Sequence, residues 1–313
     1  MYVEAPIMNL APITLFTYNR CWHTKQTVEA LAKNELASKS ELFVYSDGPK
    51  TESDRKQVES TRTYLKSITG FKSVTILESE KNISCARSII SGVTEIVNRF
   101  GQIIVLEDDM VTAPHFLRYM NEALDYYRDE DRVICIHGYL YPVKSKLPET
   151  FLLKGADNWG WATWKRGWDL FEPDGQKLLN ELTVRGMTRE LDSYDYIRML
   201  KEQIAGAIDA WDIQWYISAL LNNKLTLFPG KSLVQNIGHD CSGTHCETTD
   251  LFSVELSKIP INISLIKIEE NLLAKKTIGD FRKSTIPSFT LSLIRKIRVL
   301  AQLIFFYDRK ISS

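Results

Sequence analysis

In the first 140 residues, short apolar runs alternate with longer segments whose apolar residues recur at helical spacing. The run Gln102–Leu106 is apolar after its first residue, as is typical of a strand buried on both faces. This alternation predicts a mostly parallel sheet with helices on both faces. The predicted strands are Ile13–Tyr18, Glu41–Ser46, Ser73–Leu77, Gln102–Leu106 and Arg132–His137. The predicted helices are Thr24–Leu36, Glu52–Ser67, a helix through Arg99 with Ser84 as its N-cap, and a helix from Pro114 to about Tyr127.

The pattern changes after His137. Aromatic residues first crowd together between Trp159 and Phe171, and helical patterns then follow. A polar stretch occupies Gly238–Asp250, and the chain from Ile259 is expected to be largely helical. The predicted helices in this half are Gln176–Leu182, Arg189–Gly206 and Trp211–Asn222, with a short strand at Leu225–Phe228.

Charge and cysteine content narrow the class of protein. The 39 basic and 39 acidic residues cancel, so there is no basic excess of the kind expected for nucleic-acid binding. Five cysteines in 313 residues form no disulfide framework, and reduced thiols in the cytoplasm are expected. The N-terminal segment has no basic leader, so no signal peptide is expected. The uncharged run Val299–Tyr307 is too short for a bilayer that requires about 20 residues.

The strongest candidate for chemistry is the acidic run Glu107-Asp108-Asp109, which directly follows the most apolar predicted strand. Ligands of open α/β sheets bind outside the carboxyl ends of the strands. Adjacent acids are best tolerated there when a cation neutralises them, and Mg²⁺ is usually held by one or two carboxylates plus substrate phosphates. An acidic turn that complements the dipole of the next helix is the alternative interpretation.

Three further charged residues occupy suggestive positions. Asp47 and Arg20 each follow a predicted strand, where they could meet a ribose, a base or a diphosphate. An Asp-Gly turn and a surface arginine are the alternatives. Asp212 lies between Trp211 and Trp215 near a helix start, where it could simply complement the dipole. Partial desolvation by the two indoles would instead raise its pKa and suit a general base.

Two aromatic or metal-binding patterns remain open. Trp159-Gly160-Trp161 fits the apolar face of a sugar ring, but it fits core packing equally well. The polar stretch has two His and two Cys within eight residues, ending at His245-Cys246, but their spacing is not a standard zinc pattern. A flexible loop with His239 facing a ligand is the interpretation we favour over a zinc site.

Taken in chain order, these motifs resemble those of the GT-A-fold, metal-dependent inverting glycosyltransferases, over about residues 10 to 250. The resemblance is to bacterial enzymes that build surface polysaccharides, and the arrangement is also similar to the N-acetylglucosaminyltransferase I group. It implies an α/β fold of GT-A (Rossmann-like) type, with a mostly parallel central sheet, flanking helices and a helical C-terminal extension. The motifs are Tyr18-Asn19-Arg20, Ser46-Asp47-Gly48, Glu107-Asp108-Asp109, Trp159-Gly160-Trp161 and Trp211-Asp212.

The resemblance also implies roles for the strand-end residues. Arg20 and Asp47 would contact the nucleotide of a sugar donor, with UDP as the expected nucleotide. Glu107, Asp108 and Asp109 would form the acidic motif usually written D-x-D, with Glu as its first member. Asp109 would ligate Mn²⁺ or Mg²⁺, and Asp108 would face the ribose or sugar.

The remaining roles concern the acceptor side. Asp212 would be the catalytic base, and His239 would lie beside the diphosphate or the metal. The loop Trp159-Gly160-Trp161 would close over donor and acceptor and exclude water. The resemblance thus implies a glycosyltransferase domain over 1–250, with a nucleotide-binding half about 10–140 and an acceptor half about 141–250. The helical extension would cover 251–313.

The C-terminal segment favours a particular location and acceptor. Between Asn271 and Ser313 there are nine basic and two acidic residues, and apolar residues from Leu293 to Ile304 recur at helical spacing. A basic amphipathic helix can lie on an anionic membrane, where a lipid-linked glycan acceptor would be found. Packing on the protein body or on a second copy is the alternative. The expected location is the cytoplasm, with peripheral contact at the inner face of the cytoplasmic membrane if that helix binds lipid.

Two other functions stay open on the sequence. A nucleotidyltransferase acting on a sugar phosphate also uses a parallel sheet and paired acids, but its glycine-rich loop after the first strand is missing from Asn19–His23. A non-catalytic carbohydrate-binding protein is the third hypothesis. The chain carries all four candidate acids, Asp47, Asp108, Asp109 and Asp212, which argues against a non-catalytic protein with a degenerate site.

Overall fold

Strand β4, Gln102–Glu107, lies inside the sheet, and each residue from Ile103 to Leu106 is at most 1% exposed. This is the burial that its apolar sequence predicts. The computed structural model describes residues 9–192, 194–242 and 248–285.

The described chain alternates strands and helices through its first half, as predicted. The strands are β1 (Ile13–Thr17), β2 (Glu41–Ser46), β3 (Ser73–Glu78), β4 (Gln102–Glu107), β5 (Met110–Thr112), β6 (Val133–His137), β7 (Thr150–Lys154), β8 (Trp161–Trp164), β9 (Leu225–Pro229) and β10 (Val234–Asn236). The helices are α1 (Cys21–Ala32), α2 (Arg55–Leu65), α3 (Cys85–Phe100), α4 (Phe116–Tyr126), α5 (Lys165–Trp168), α6 (Gly175–Val184), α7 (Thr188–Asp192), α8 (Tyr196–Ile204), α9 (Asp212–Leu221) and α10 (Leu272–Thr285).

The main sheet has eight strands in the order β3-β2-β1-β4-β8-β6-β9-β7. The four strands β3, β2, β1 and β4 are mutually parallel, and β6 and β9 run in the same direction. Only β8 and β7 run the opposite way within this sheet. The carboxyl ends of six strands therefore meet at one edge. A separate two-stranded ribbon pairs β5 with β10.

Helices cover both faces of the sheet. Alternate residues of β4 belong to two different cores, with Ile104 and Leu106 in one and Ile103 and Val105 in the other. Helices α1 and α4 pack on the first face, and α3 packs on the second. The α/β class with a mostly parallel sheet and flanking helices is thus confirmed.

Four tryptophans pack together on the second face. The ring of Trp161 lies 5.5 Å from that of Trp211, 5.8 Å from Trp215 and 5.9 Å from Trp168, measured between centroids. Each of the four is at most 5% exposed. This cluster fixes the start of α9 against β8, in the middle of the sheet.

Three predictions about local structure were wrong. Trp161 begins a strand where a loop was expected, because its backbone pairs with β4 and β6. The helix expected over Arg189–Gly206 divides, with α7 ending at Asp192 and α8 starting at Tyr196 after a left-handed residue, Asp195 (φ 67°). The chain from Ile259 is not helical until Leu272.

The segment 259–271 is irregular because its apolar residues pack along the edge of the sheet. Ile261 is buried in the core, and Ile263 packs partly buried against it. The N–H of Asn271 donates to the carbonyl oxygen of Leu152 on the edge strand β7 at 2.8 Å. Tertiary contacts thus replace the hydrogen bonds that a helix would make.

No helix within the described ranges is long and apolar enough to cross a membrane. The predicted amphipathic helix beyond Pro287 lies outside the described residues, so its membrane contact stays a prediction.

Candidate functional site

The predicted site residues of the first half do meet at the carboxyl edge of the sheet. Arg20 follows β1 and starts α1, Asp47 follows β2, and Glu107 is the last residue of β4. Because β1 lies between β2 and β4 and is parallel to both, these three chain segments are neighbours. This is the edge where α/β sheets bind their ligands.

Arg20 pairs with two of the acids. Its guanidinium nitrogen Nη2 lies 2.9 Å from Asp109 Oδ2 and also contacts Asp108 Oδ1. Burial raises the pKa of Asp108, and the charge of Arg20 acts in the opposite direction. The backbone of Asp108 is fixed as well, since Thr27 Oγ1 donates to its carbonyl oxygen at 2.8 Å. Arg20 thus offsets part of the repulsion within the acidic run.

Glu107 lies among other negative charges at this edge. Desolvation, followed by the negative charges of Asp109, Asp212 and Asp108, raises the pKa of Glu107 to about 8. Two consequences follow. The charge of Asp212 acts on Glu107 at the end of β4. Added positive charge at this edge would be stabilised by these acids.

Asp109 is held by the β5–β10 ribbon. Its carbonyl oxygen accepts the N–H of Ile237 at 2.9 Å, which places Gly238 against its side chain. A Cβ atom on Gly238 would lie 2.0 Å from Asp109 Oδ2. The other carboxylate oxygen, Oδ1, is buried and has no hydrogen-bond partner within the described structure. Glycine at 238 therefore allows Asp109 to present an unsatisfied oxygen while Arg20 binds the other.

Gly238→Ala is expected to destabilise the protein by about 1–3 kcal/mol, because the added methyl group must displace the Asp109 carboxylate from Arg20. Urea unfolding would measure the loss. Gly186→Ala is a suitable control, since a Cβ there meets no atom within 4 Å and introduces only the strain of φ +68°. The control shows what an added methyl group with backbone strain alone costs, and a loss well below about 1 kcal/mol in Gly238→Ala would contradict the close contact.

His239 lies beside this acid on the same ribbon. Its ring stacks on Phe252 with 5.1 Å between centroids and lies 5.5 Å from Trp159. Burial lowers the pKa of His239, against the opposing charge of Asp109. The ring is therefore neutral at neutral pH, and its buried Nε2 has no hydrogen-bond partner within the described chain.

These two unsatisfied atoms fit a divalent metal bound with a phosphate. Asp109 Oδ1 is a hard oxygen ligand, and a neutral His239 offers the lone pair of Nε2 when its proton is on Nδ1. Across the described ranges, no three His, Cys, Asp or Glu side chains gather into a complete metal cluster. One or two protein ligands are nonetheless what a metal requires when substrate phosphates complete its shell.

Asp47 shapes the edge through the backbone. Its carboxylate accepts the N–H of Gly48 at 2.8 Å and the N–H of Ile83 at 3.0 Å. It is 6% exposed, and burial raises its pKa although these hydrogen bonds act against the rise. Asp47 thus fixes the turn after β3 to the end of β2. Its proposed contact with a nucleotide stays a prediction.

Asp212 is the first residue of α9, as predicted, and it is partly exposed. Trp211 and Trp215 on either side of it are buried in the tryptophan cluster with Trp161. Since Trp161 pairs with Val105 of β4, this packing brings Asp212 to the acidic edge of the sheet. The cluster explains how a residue far along the chain reaches Glu107.

Asp209 lies three residues before Asp212, and no role was predicted for it. Its carboxylate accepts the N–H of Cys85 at 2.9 Å and the hydroxyl of Ser84 at 3.2 Å. Ser84 precedes α3 as predicted, but its side chain does not cap that helix. Asp209 caps it instead, from a distant segment, and so ties the start of α9 to α3. An acid before a helix pattern is the signal that was available.

The three residues of the aromatic motif have different surroundings. Trp159 is partly exposed and packs 4.7 Å from Tyr139, close to His239. Gly160 adopts φ +64°, and a Cβ there would lie 2.6 Å from Val234. Trp161 is fully buried, which favours the core-packing interpretation for this side chain over a contact with sugar. Trp159 alone of the three has a ring at the site.

A second contact holds the His239 segment in place. His23 on α1 is 6% exposed, and its Nε2 lies 3.0 Å from Asp240 Oδ2. This pair could not be predicted from local patterns, because 217 positions separate the two residues. His245 and Cys246 lie outside the described residues, so the zinc alternative was not tested.

A cavity of about 310 Å³ lies elsewhere, between α10 and the helices α7 to α9. Its lining includes Tyr194, Tyr196, Tyr216 and Arg282, but none of the predicted site residues. The acidic edge and this cavity are separate features.

Comparison with solved structures gives distant similarities. The mannosyltransferase PcManGT from Pyrobaculum calidifontis, solved in complex with GDP-Man and Mn²⁺, is 11% identical with a TM-score of 0.35, and the match covers 53% of this chain and 50% of that one. TarS from S. aureus is 14% identical with a TM-score of 0.30, over 44% of this chain and 23% of that one. The TarS fragment 1–349 is 13% identical with a TM-score of 0.40, and the match covers 71% of this chain and 59% of that one. The chain thus spans less than two thirds of each of these solved chains.

Comparison with curated proteins finds no match. The family model described as the GNT-I family matches residues 2–173, which is more than half of the chain and includes β1 to β8 with the whole acidic run. The chain therefore belongs to the GNT-I family.

Proposed function

We propose that the protein is a metal-dependent inverting glycosyltransferase. It would move a sugar from a nucleotide-sugar donor, UDP-linked, to a hydroxyl of a glycan or lipid-linked acceptor in surface polysaccharide biosynthesis. One observation carries the proposal. Within the described chain, Asp109 Oδ1 and His239 Nε2 are buried without hydrogen-bond partners, at the edge where Arg20 pairs with Asp108 and Asp109.

The donor would bind through its diphosphate. A divalent metal held by Asp109 and His239 would offset the negative charge that develops on the diphosphate leaving group. In this structure Arg20 pairs with both Asp108 and Asp109. With a cation bound, Arg20 can release Asp109 and donate to a phosphate or base. Asp108, freed in the same way, would accept from the ribose or sugar.

The turn after β2 would form the wall beside the nucleotide. Asp47 holds Gly48 and Ile83 by their N–H groups, and a Cβ on Gly48 would lie 2.6 Å from the backbone of Lys81. The wall is therefore a rigid backbone surface. Such a surface would orient a base at low entropic cost.

Asp212 would act as the base. Its position at the start of α9 puts it near Glu107 while the tryptophan cluster holds the helix behind it. It would accept the proton of an acceptor hydroxyl as that oxygen attacks C1 of the sugar. Attack from the face opposite the diphosphate inverts the anomeric configuration and forms no covalent enzyme intermediate. Trp159 would cover the donor and limit hydrolysis by water.

Calorimetric titration tests the donor assignment. We expect UDP-sugars to bind when Mn²⁺ is present and not when EDTA has removed it. GDP-, CMP- and dTDP-sugars in the same assay determine the base, since the solved mannosyltransferase carries GDP-Man. If none of these donors binds in the presence of metal, the proposed function is wrong.

A further inference from the structure

Arg282, on the C-terminal helix α10, reaches into the body of the domain. Its Nη2 lies 3.0 Å from Asp157 Oδ2 and also contacts the hydroxyl of Tyr141. The guanidinium carbon lies 4.6 Å from the ring centroid of Tyr141 and 5.2 Å from that of Tyr196. Only 22% of the Arg282 side chain and 14% of the Asp157 side chain are exposed. Arg282 is thus held by an ion pair, a hydroxyl and two aromatic rings together.

The charges in this group favour Arg282 as the partner that holds Asp157. Burial lowers the pKa of His137, the nearest histidine, to about 4. At neutral pH that ring is uncharged, so Arg282 is the cation beside Asp157. Burial would raise the pKa of Asp157, but the charge of His137 when that ring is protonated, the charge of Arg282 and the N–H of Asn158 outweigh it and keep the pKa below its ordinary value.

Asp157 in turn fixes the backbone that leads to Trp159. Its Oδ1 accepts the N–H of Asn158 at 3.0 Å and lies 3.8 Å from His137 Nε2. The same His137 Nε2 accepts the N–H of Trp159 at 3.2 Å. Because Nε2 accepts from Trp159, it makes no hydrogen bond to Asp157, and the contacts run from α10 through Asp157 and the backbone of Asn158 to that of Trp159. The Trp159 ring lies 5.5 Å from the ring of His239.

We propose that Arg282 is a positioning residue for the donor site, holding Asp157 and thereby Trp159 against His239. The part of this inference that concerns donor binding rests on the proposed function. Within the described residues Arg282 contacts Asp157, Tyr141 and Tyr196 and no predicted site residue, so it would act through Asp157 and the Asn158 backbone that Asp157 holds. The consequence is that α10, which lies outside the region matched by the family model, helps to order the site.

Arginine suits this position better than lysine. A planar guanidinium can stack on Tyr141 and Tyr196 while its N–H groups donate to a carboxylate and a hydroxyl. A lysine ammonium would keep the charge without the stacking geometry. Arg282→Lys should therefore fall between the native protein and Arg282→Gln in each measurement below.

The test reports on Trp159 with and without a ligand. Protein labelled with ¹⁵N-tryptophan gives indole N–H resonances, and Trp159→Phe identifies the one from Trp159. We expect Arg282→Gln to shift or broaden that resonance. We also expect it to weaken binding of UDP with Mn²⁺ by at least about tenfold, the lower end of the range for groups that support a metal ligand indirectly.

Ile278→Ala is the matched control. Ile278 is 5% exposed on the same helix and packs in the core, so its truncation loosens α10 without removing a charge. Its Trp159 resonance and UDP affinity should stay native even where its melting temperature falls as far as that of Arg282→Gln. An unmoved Trp159 resonance in Arg282→Gln, or an equal shift in Ile278→Ala, overturns the proposal. If Arg282→Gln shifts the Trp159 resonance but the native protein binds no UDP in the presence of Mn²⁺, the proposed function is wrong. The link from Arg282 to Trp159 is then still supported.

Discussion

Asp109→Ala is expected to weaken Mn²⁺-dependent binding of the nucleotide-sugar donor by at least about 100-fold. Groups that support a metal ligand indirectly are worth about 10–100-fold in affinity, so a direct ligand should cost at least the upper end of that range. The carboxylate oxygen Oδ1 of Asp109 is buried and has no hydrogen-bond partner among the described residues, which makes it available for that role. Calorimetry with the donor and Mn²⁺ measures the loss.

The fold should survive this substitution. Arg20 keeps its contact with Asp108, and removing the charge of Asp109 relieves one of the influences that raise the pKa of Glu107. We therefore expect a melting temperature equal to or above that of the native protein. Asp129→Ala is the matched control, since it removes the same charge from a side chain that is 91% exposed. Donor affinity in Asp109→Ala equal to that of the control would show that Asp109 does not hold the metal.

The parallel half of the fold was predictable because local and global signals agree there. Each strand from β1 to β4 is a short apolar run that stops at polar residues, and a helical pattern follows it. The bounds of β2 were predicted without error, and those of β4 differ by one residue. Since parallel strands end at one edge, the meeting of Arg20, Asp47 and the acidic run could also be anticipated.

The antiparallel strands were not predictable in the same way. Trp161–Trp164 is a run of four residues without strict alternation, and it forms β8 because β4 and β6 offer partners on both sides. Trp161 also shows why the motif alone was ambiguous. An indole beside glycine fits a sugar ring or a core, and the rings of Trp211 and Trp215, some 50 positions away, decide for the core.

The finer structure of the site depends on contacts between distant segments. The Arg20–Asp109 pair spans 89 positions, and the His23–Asp240 pair spans 217. Gly238 had no evident function in the sequence, because its importance comes from the carboxylate that the ribbon brings against it. Composition can place acids at a strand end, but it cannot show which oxygen is left without a partner.

Asp212→Asn is expected to lower kcat by about 10²–10⁴-fold, the usual contribution of general acid–base catalysis. The amide has the shape of the carboxylate but cannot take a proton from an acceptor hydroxyl. Because Asp212 starts α9 and is anchored by Trp211 and Trp215, the substitution should leave the surrounding structure in place. Donor affinity should therefore change by less than about threefold, well under 1 kcal/mol. Steady-state rates and calorimetry on the same preparation separate the two effects.

Asp209→Asn is the control for position and charge. Asp209 lies three residues earlier, is exposed, and caps α3 through the N–H of Cys85. Its replacement should cost about 1 kcal/mol of stability or less and leave kcat near the native value. If both variants lose kcat equally, the negative charge near the start of α9 accounts for the rate, and proton transfer by Asp212 does not. A native kcat in Asp212→Asn would show that Asp212 is not the base. A product that retains the anomeric configuration of the donor would exclude the inverting mechanism.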